Sequence, residues 1–275
     1  MDAASSEVPA GRTPVIAEQR GPIALLTLDA PASRNALSEA MLAALRAALD
    51  RISADRATHV VVLTANGPAF SAGHDLRQLT AHRGDADRGR AYFQSVMTLC
   101  AEVMQAIVRC PKPVIAAVEG VATAAGCQLV ATCDLAIAGA DATFATPGVN
   151  IGLFCSTPMV ALSRNVPRKR AMEMLLLGEP LDAAAAAQYG LVNRVVPAGQ
   201  ALSAATAMAE AIAAKSPVTV AIGKQAFYQQ LEMPLAEAYA DAAQVMVRNM
   251  IERDAEEGIA AFIEKRPPRW GANDR

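Results

Sequence analysis

The sequence has few aromatic and few charged side chains. Aromatic residues make up 4% of the 275 residues and charged residues 19%, whereas hydrophobic residues make up 53%. Alanine, valine, leucine, isoleucine and methionine must therefore fill most of the core, and so apolar a composition excludes a globally disordered chain. A chain of this length is expected to form one large domain or two modest ones.

An excess of charge of either sign is also lacking. The 25 basic and 27 acidic side chains give a net charge of -2, so neither a nucleic acid nor an anionic membrane surface is expected as a partner. The sequence has no uninterrupted run of about eighteen apolar residues, so no membrane span is predicted. The first dozen residues contain Asp2 and Glu7 and no apolar stretch, which is unlike a signal or transit peptide. We therefore expect a cytoplasmic location.

Closely spaced metal ligands are absent from the sequence. The histidines His59, His74 and His82 lack the i, i+4 spacing of a helical metal site, so no metal is predicted. The cysteines include no C-x-x-C pair, and their apolar surroundings favour reduced core thiols over disulfides. They are Cys100, Cys110, Cys127, Cys133 and Cys155.

Strand and helix signals alternate through most of the chain. The apolar runs Val60–Leu63 and Val114–Val118 predict strands buried on both faces. Each run is followed by a loop of small residues and a helical stretch, which indicates an α/β layered core. We predict a flexible tail at residues 1–13, the core at 14–198 and a helical oligomerisation region at 199–275.

Two loops rich in small residues each join a buried strand to a helical stretch. They are Phe70–Leu76 and Gly120–Cys127. The first backbone N–H groups of a helix have no intrahelical partner, and small side chains let a ligand approach them. Two such groups converging on one oxygen would form an oxyanion hole. The alternative is a pair of tight turns whose small residues serve packing alone.

The motifs around these loops follow one another in a specific order and spacing. They are Arg34–Leu37, Phe70–Asp75, Lys112–Gly120, Gly126–Cys127, Cys133–Asp134, Gly178, Gly190–Val192 and Ala261–Arg266. Over residues 14–266 the chain resembles the crotonase superfamily, the enoyl-CoA hydratases and isomerases. The resemblance implies an α/β fold, a crotonase/ClpP-like superhelix of ββα units with a C-terminal helical trimerisation region. It also implies homotrimers, often stacked as hexamers.

The resemblance further implies which residues bind an acyl-CoA thioester. It assigns the oxyanion-hole donors to the backbone N–H groups of His74 and Ala125, which would stabilise an enolate. Phe262 and Lys265 match tail residues that reach the nucleotide, usually of a neighbouring subunit, although Lys265 could instead be a solvated helix-end charge. No separate cofactor is expected, because coenzyme A is part of the substrate. The predicted binding residues are Arg34, Ala36, Ala72, Asp75, Leu76, Arg77, Cys155, Ser156, Phe262 and Lys265.

Two positions depart from the pattern of the family's hydratases. Hydration of an enoyl thioester needs an acid and a base around one water, and hydratases supply two glutamates. At those positions this chain has Gln128 and Gly148. An amide can orient water but cannot exchange a proton near neutral pH, and glycine has no side chain. We therefore expect weak or absent hydratase activity, with Thr123 and Thr146 as further groups that could hold a water.

These observations predict an acyl-CoA-processing enzyme of fatty acid or related metabolism, in the lyase or isomerase class. A second hypothesis stays open, a catalytically silent acyl-CoA-binding oligomer. Cys155 and Ser156 are either packing and N-cap residues or a functional pair. Asp75 is expected to cap a helix, Glu119 to cap local N–H groups, and Asp134 to be structural. A serine protease on a related fold is disfavoured, because no plausible Ser/His/Asp set is present.

Overall fold

Two β-sheets form the framework of the protein, whose computed structural model describes residues 13–271. The six-stranded sheet has the order β1-β2-β3-β5-β7-β10, and the four-stranded sheet has the order β4-β6-β8-β9 once the strands are numbered along the chain. The strands are β1 (Val15–Arg20), β2 (Ile23–Leu28), β3 (Val60–Ala65), β4 (Ala69–Ser71), β5 (Val114–Val118), β6 (Val121–Thr123), β7 (Leu135–Gly139), β8 (Thr143–Ala145), β9 (Leu181–Asp182) and β10 (Arg194–Val196).

Helices cover the sheets and form the C-terminal part of the chain. They are α1 (Glu39–Ala54), α2 (Leu76–Ala81), α3 (Arg90–Arg109), α4 (Ala125–Thr132), α5 (Ser156–Asn165), α6 (Arg168–Leu177), α7 (Ala183–Gln188), α8 (Ala201–Ala213), α9 (Pro217–Gln230), α10 (Leu235–Met250) and α11 (Arg253–Ile263). Short 3-10 helices lie at Pro31–Ser33, His82–Gly84 and Pro147–Ile151. Some helices begin where the sequence supplies a signal: Pro217 opens α9, and Ser38 caps α1 by accepting the Met41 N–H.

The chain alternates between the two sheets. β3, β5 and β7 pair in parallel within the large sheet, and the strands that follow them, β4, β6 and β8, pair in parallel within the small sheet. Each strand pair is one turn of a superhelix, which agrees with the implied ββα repeat. The runs Val60–Leu63 and Val114–Val118 are buried throughout, as their composition predicts.

Different helices cover the two faces of the large sheet. The main core includes buried side chains of α1, α3 and α4. On the other face, Ala201, Ala205 and Ala209 of α8 are fully buried against strand residues such as Val62 and Ile115. Their spacing of four residues places them on one side of the helix. The small alanine side chains let α8 approach the sheet closely, so the first helix of the predicted C-terminal region completes the core.

A buried ion pair anchors α9 to the core. The Lys224 ammonium group donates to the Asp134 carboxylate at 2.7 Å and to the Ile107 carbonyl at 2.9 Å. The Tyr228 hydroxyl donates to the same carboxylate at 2.8 Å, and that carboxylate accepts the Val114 N–H. The prediction that Asp134 is structural is confirmed.

α3 is long and apolar enough to cross a membrane by length and composition alone. It packs against α1, and its buried residues belong to the main core. These are Val96, Cys100, Val103, Met104 and Ile107. Packing in the core is a sufficient reason for the apolar composition of this helix. Residues 1–12 of the predicted tail lie outside the described residues.

Candidate functional site

The segment Arg34–Leu37 runs beside the first of the two small-residue loops. The Ala72 N–H donates to the Arg34 carbonyl at 3.0 Å, and the Leu37 N–H donates to the Gly73 carbonyl at 2.7 Å. Arg34 and Ala36 are therefore brought next to Ala72 although the two segments are well separated in sequence. The exposed Arg34 side chain stands at the mouth of this loop.

Asn35 holds that segment in its unusual conformation. Its side-chain amide donates to the carbonyls of Asn66 and Ala69, at 2.8 Å each, and its oxygen accepts the Ala30 N–H at 2.8 Å. Arg34 and Asn35 both have positive φ angles, 53° and 51°, a conformation that asparagine tolerates better than most residues. Asn35 is a positioning residue rather than a ligand-binding one, because its side chain is fully used.

The two small-residue loops touch at Gly73. A Cβ atom built on this glycine would lie 2.9 Å from the Ala124 Cβ, 2.9 Å from the Thr123 carbonyl oxygen and 3.1 Å from the Ala125 nitrogen. Only glycine permits this approach, and its φ of 82° also favours glycine. The peptide group between Gly73 and His74 thus lies against the peptide group that carries the Ala125 N–H.

The N–H groups of His74 and Ala125 are both unpaired with any backbone acceptor in the part of the chain that is described. The Ala125 N–H belongs to the first residue of α4, where no intrahelical partner exists. The bridge between Leu37 and His74 uses the Leu37 N–H and the Gly73 carbonyl, so it leaves the His74 N–H available. The arrangement can therefore offer two donors to one ligand oxygen.

Ala124, directly before the second donor, has a strained backbone. Its φ of 51° and ψ of -119° are rarely adopted by residues with a side chain, and such a conformation costs about 1–3 kcal/mol. The residue is held on both sides, since its N–H donates to the Ala145 carbonyl at 2.9 Å and its carbonyl accepts the Gln128 N–H at 3.1 Å. Strain of this kind is typical of ligand-facing turns.

Gln128 is directed towards the same end of α4. It lies three residues after Ala125 and therefore on the same helix face, and helical side chains lean towards the N-terminus. The residue is only 4% exposed, and its Oε1 atom has no hydrogen-bond partner among the described residues. A buried polar atom without a partner costs about 1–3 kcal/mol, so this position is suited to a water or ligand donor.

Thr146 carries a second unpartnered polar atom. It follows β8, whose last residue Ala145 pairs with Thr123, so Thr146 lies beside Ala124. The residue is completely buried, and its hydroxyl makes no hydrogen bond to the described part of the chain. Thr146 and Gln128 therefore flank the end of the second loop.

Gly148, where the family's hydratases have their second glutamate, is closely surrounded. A Cβ built on it would lie 2.8 Å from the Leu153 carbonyl oxygen and 2.9 Å from the Cys155 sulfur. Its φ is not in the left-handed region, so space rather than backbone conformation restricts this position. The missing side chain leaves no gap, because the Cys155 thiol fills the place.

All five cysteines are buried and none forms a disulfide, which confirms the prediction of reduced core thiols. Burial raises the pKa of the Cys127 thiol to about 12. Burial also raises the pKa of Cys155, and the Gly148 N–H partly offsets this effect. Ser156 is exposed and its hydroxyl donates to the Phe154 carbonyl, so Cys155 and Ser156 do not form a hydrogen-bonded pair.

The His74 side chain is held neutral by its surroundings. Both ring nitrogens are buried and make no hydrogen bond to the described residues. Burial lowers the pKa of this imidazole, and the nearby Leu37 carbonyl offsets the effect only in part. His74 therefore contributes its backbone N–H to the candidate hole and an uncharged ring beside it.

Of the remaining predicted residues, two are helix caps and two are exposed next to the first loop. Asp75 caps α2, since its carboxylate accepts the N–H groups of Arg77 at 2.9 Å and Gln78 at 3.2 Å, as expected. Leu76 and Arg77 lie exposed on the first turn of α2, next to the loop. Glu119 does not cap local N–H groups as predicted; instead it accepts the N–H of the distant Ala201 at the start of α8, at 2.9 Å. Asp75, Leu76 and Arg77 lie next to the first loop, and the Asp75 carboxylate is occupied as a cap.

Phe262 and Lys265 lie apart from the other predicted residues. They are at the end of α11, which packs against α9 and α10. Phe262 is 84% exposed and Lys265 has a positive φ of 55°. Within one chain, the structure does not bring them to the small-residue loops.

A second chemical site is not evident elsewhere in residues 13–271. No group of three or more His, Cys, Asp or Glu side chains there could hold a metal ion. A cavity of about 810 Å³ lies between the start of α9 and α11. Charged residues that line this cavity already have partners. Arg266 contacts Glu257 at 2.6 Å, and Asp254 accepts the Gly271 N–H at 3.0 Å.

Comparison with known proteins agrees with this fold. A family model described as "Enoyl-CoA hydratase/isomerase" matches residues 18–273. The rat protein named "Enoyl-CoA hydratase domain-containing protein 3, mitochondrial" is 49% identical over 252 residues, which are 92% of this chain and 82% of the rat protein. The human protein of that name has a crystal structure with a TM-score of 0.89 and 47% identity, covering 94% of this chain and 100% of the human one. A structure of an enoyl-CoA hydratase from Mycobacterium smegmatis gives a TM-score of 0.90 and 49% identity, over 94% of this chain and 99% of that one.

The predicted cytoplasmic location is wrong by this comparison. The similar rat, mouse and human proteins are all named as mitochondrial. The prediction rested on the composition of the first dozen residues, which lie outside the described residues. A targeting segment is read by import machinery and adds nothing to the packed core, so the described fold carries no information about the compartment.

Proposed function

Because the chain belongs to the enoyl-CoA hydratase/isomerase family, the crotonase superfamily, we propose that it is an acyl-CoA-processing enzyme that stabilises a thioester enolate. The thioester carbonyl oxygen would accept hydrogen bonds from the His74 and Ala125 N–H groups. Coenzyme A would enter as part of the substrate, with no separate cofactor. Isomerase or lyase chemistry of fatty acyl or related thioesters fits this role.

The observation that carries the proposal is the contact of Gly73 with Ala124 and Ala125. It brings two available N–H groups to neighbouring positions. The strain at Ala124 is a cost that the fold tolerates at this turn. Each donor to a developing oxyanion is worth about 2.7–4 kcal/mol of transition-state stabilisation. A pair of tight turns serving packing alone would not require donors left without acceptors.

We further propose that a trimer completes the binding site. Arg34 and Arg77 are exposed beside the first loop and can meet phosphate groups of coenzyme A. Phe262 and Lys265 are too far along the C-terminal helices to serve the same chain's loops, so they would serve a neighbouring subunit. α10 and α11 leave large apolar side chains exposed, Ile251 and Ile263 among them, and such faces mark protein contacts.

Hydration of enoyl-CoA should be weak or absent. The chain has no carboxylate at either hydratase position, where it has the buried Gln128 and the closely surrounded Gly148. The unpartnered Oε1 of Gln128 and hydroxyl of Thr146 can hold a water but cannot take its proton at neutral pH. The same features favour the second candidate, a catalytically silent acyl-CoA-binding oligomer.

Exchange of the thioester α-protons separates the two candidates. Butyryl-CoA would be incubated with the protein in D2O and followed by proton NMR. An enolate-stabilising site should accelerate exchange by at least about 10²-fold, the contribution of one oxyanion donor. Binding of butyryl-CoA without any acceleration would favour the silent oligomer. Hydration of crotonyl-CoA, assayed in parallel, should be slow, and turnover typical of hydratases would contradict the role given to Gln128 and Gly148.

A further inference from the structure

The Cys155 thiol lies against Gly148, the position at which the family's hydratases have their second glutamate. Its sulfur lies 2.9 Å from the point where a Gly148 Cβ would be, and the Gly148 N–H interacts with it. Cys155 is 7% exposed and is the N-cap residue of α5. A helix N-terminus favours negative charge, which partly opposes the effect of burial on this thiol.

Two other side chains indicate that a ligand belongs beside this thiol. Gln128 and Thr146 are more than nine-tenths buried, and each has a polar atom without a partner among the described residues. Thr146 is two residues before Gly148, and Gln128 leans towards the Ala125 N–H. A fold rarely leaves two buried polar atoms unpaired unless water or a ligand completes them. Gln128 and Gly148 stand where the family's hydratases hold two glutamates around one water, so we expect the thiol beside Gly148, the two orphaned atoms and the second N–H donor to share one region.

We propose that Cys155 is a nucleophile, and that its thiol adds to the β-carbon of an α,β-unsaturated acyl thioester. The inference rests on the proposed function, because the thioester must be held by the His74 and Ala125 N–H groups. In a hydratase an activated water attacks the β-carbon. Here a sulfur lies 2.9 Å from the Cβ position of the residue that would carry the second carboxylate, and neither hydratase position keeps a carboxylate to activate water.

The addition balances without any other reactant. The sulfur forms a bond to the β-carbon while the π-bond between the α- and β-carbons breaks. The electron pair moves to the thioester, whose oxygen becomes the oxyanion bound by the two N–H groups. The thiol proton then ends on the α-carbon and restores the carbonyl. The product is a thioether on Cys155 that still carries coenzyme A.

Burial has a consequence for the rate of this step. It raises the pKa of Cys155 and so keeps the sulfur protonated near neutral pH. Because the thiolate is the stronger nucleophile, adduct formation should quicken as pH rises. Reaction at the carbonyl instead of the β-carbon would give a different product, a Cys155 thioester with release of free coenzyme A.

Mass spectrometry of the intact protein tests the proposal. After incubation with crotonyl-CoA, the wild-type chain should gain the mass of the whole crotonyl-CoA molecule, and peptide mapping should place it on Cys155. Butyryl-CoA, which has no double bond, should leave no adduct. Cys155→Ser should lose the adduct, whereas Cys100→Ala, which removes a buried thiol in α3, should retain it. The wild-type peptide map decides the site even if Cys155→Ser folds poorly.

Several results would overturn the inference. They are the absence of any adduct, an adduct on another cysteine, or equal labelling by butyryl-CoA. Failure of the proposed function would look different, because wild-type protein would then not accelerate α-proton exchange of butyryl-CoA, whether or not it binds this thioester. Normal exchange with no crotonyl adduct would refute the role of Cys155 alone.

Discussion

Restoring a glutamate at Gly148 should destabilise the protein, because Cys155 occupies the space. A Cβ there would lie 2.8 Å from the Leu153 carbonyl oxygen and 2.9 Å from the Cys155 sulfur. Both distances are shorter than ordinary van der Waals contacts. Backbone strain does not contribute, since the φ angle of Gly148 is not left-handed. The cost should therefore come from displacing Leu153 and Cys155.

Overpacking of this kind costs about 1–3 kcal/mol. Cys155→Ala removes the sulfur and with it one of the two close contacts, while the Leu153 carbonyl remains. Gly148→Glu should therefore cost less in the Cys155→Ala background than in the wild type. Residues in direct contact show coupling free energies of about 0.5–3 kcal/mol, and we expect a value in the lower half of that range.

Urea unfolding of the four proteins of this double-mutant cycle measures the coupling. Protein concentration must be the same throughout, because subunit association shifts the apparent stability. Gly84→Glu is a matched control, since nothing lies within 4 Å of a Cβ at that exposed position, and it should change stability by less than about 0.5 kcal/mol. The reasoning fails if Gly148→Glu is as stable as the control, or costs the same with and without Cys155→Ala.

Four further outcomes are expected. Gly73→Ala should separate the two N–H donors and slow α-proton exchange of butyryl-CoA about 10²–10³-fold. The circular dichroism spectrum should be unchanged, and unimpaired exchange would refute the oxyanion hole. Ala124→Gly should raise the thermal unfolding temperature. Relief of about 1–3 kcal/mol of backbone strain at this position exceeds the entropic cost of ordering a glycine, about 0.5–1 kcal/mol. A lower unfolding temperature would contradict the strain. Lys224→Met should lower the free energy of unfolding in urea by about 3–5 kcal/mol, because it leaves the Asp134 carboxylate without its charge partner. The control Lys215→Met, at an exposed position, should lower it by less than about 0.5 kcal/mol. Equal effects would exclude the ion pair as the anchor of α9. Burial lowers the folded-state pKa of His74, so its contribution to stability is complete above the unfolded pKa of about 6.5 and is lost as pH falls below that value. The free energy of unfolding of the wild type should therefore fall more steeply below this pH than that of His74→Gln. Parallel curves of stability against pH would show that His74 does not titrate in this way.

Local sequence determined the elements that depend on near neighbours. The apolar runs of β3 and β5 form buried strands because a continuous apolar segment is stable only when both faces are covered. Asp75 caps α2 because a carboxylate reaches N–H groups two and three residues ahead. The two small-residue loops could be located because each directly follows a strand and precedes a helix in the sequence. The absence of carboxylates at positions 128 and 148 is visible in the sequence itself.

The location of the protein was the prediction that failed. It depended on a short N-terminal stretch, whose composition has no physical link to the packing of the core. The similar mitochondrial proteins contradict it. No contact within the fold could have supplied that information.

Only the tertiary structure decided how separated segments meet. Gly73 reaches Ala124 because parallel strands of the small sheet place their ends side by side, and an alanine in the sequence gives no sign that its backbone will be strained. Lys224 finds its carboxylate partner 90 residues earlier in the chain. The place of the Cys155 sulfur against Gly148 likewise depends on the turn between them and on α5. The sequence alone therefore determined which chemical groups are present and missing, whereas packing in three dimensions decided that a thiol, rather than an empty space, lies against the residue that would carry the second carboxylate.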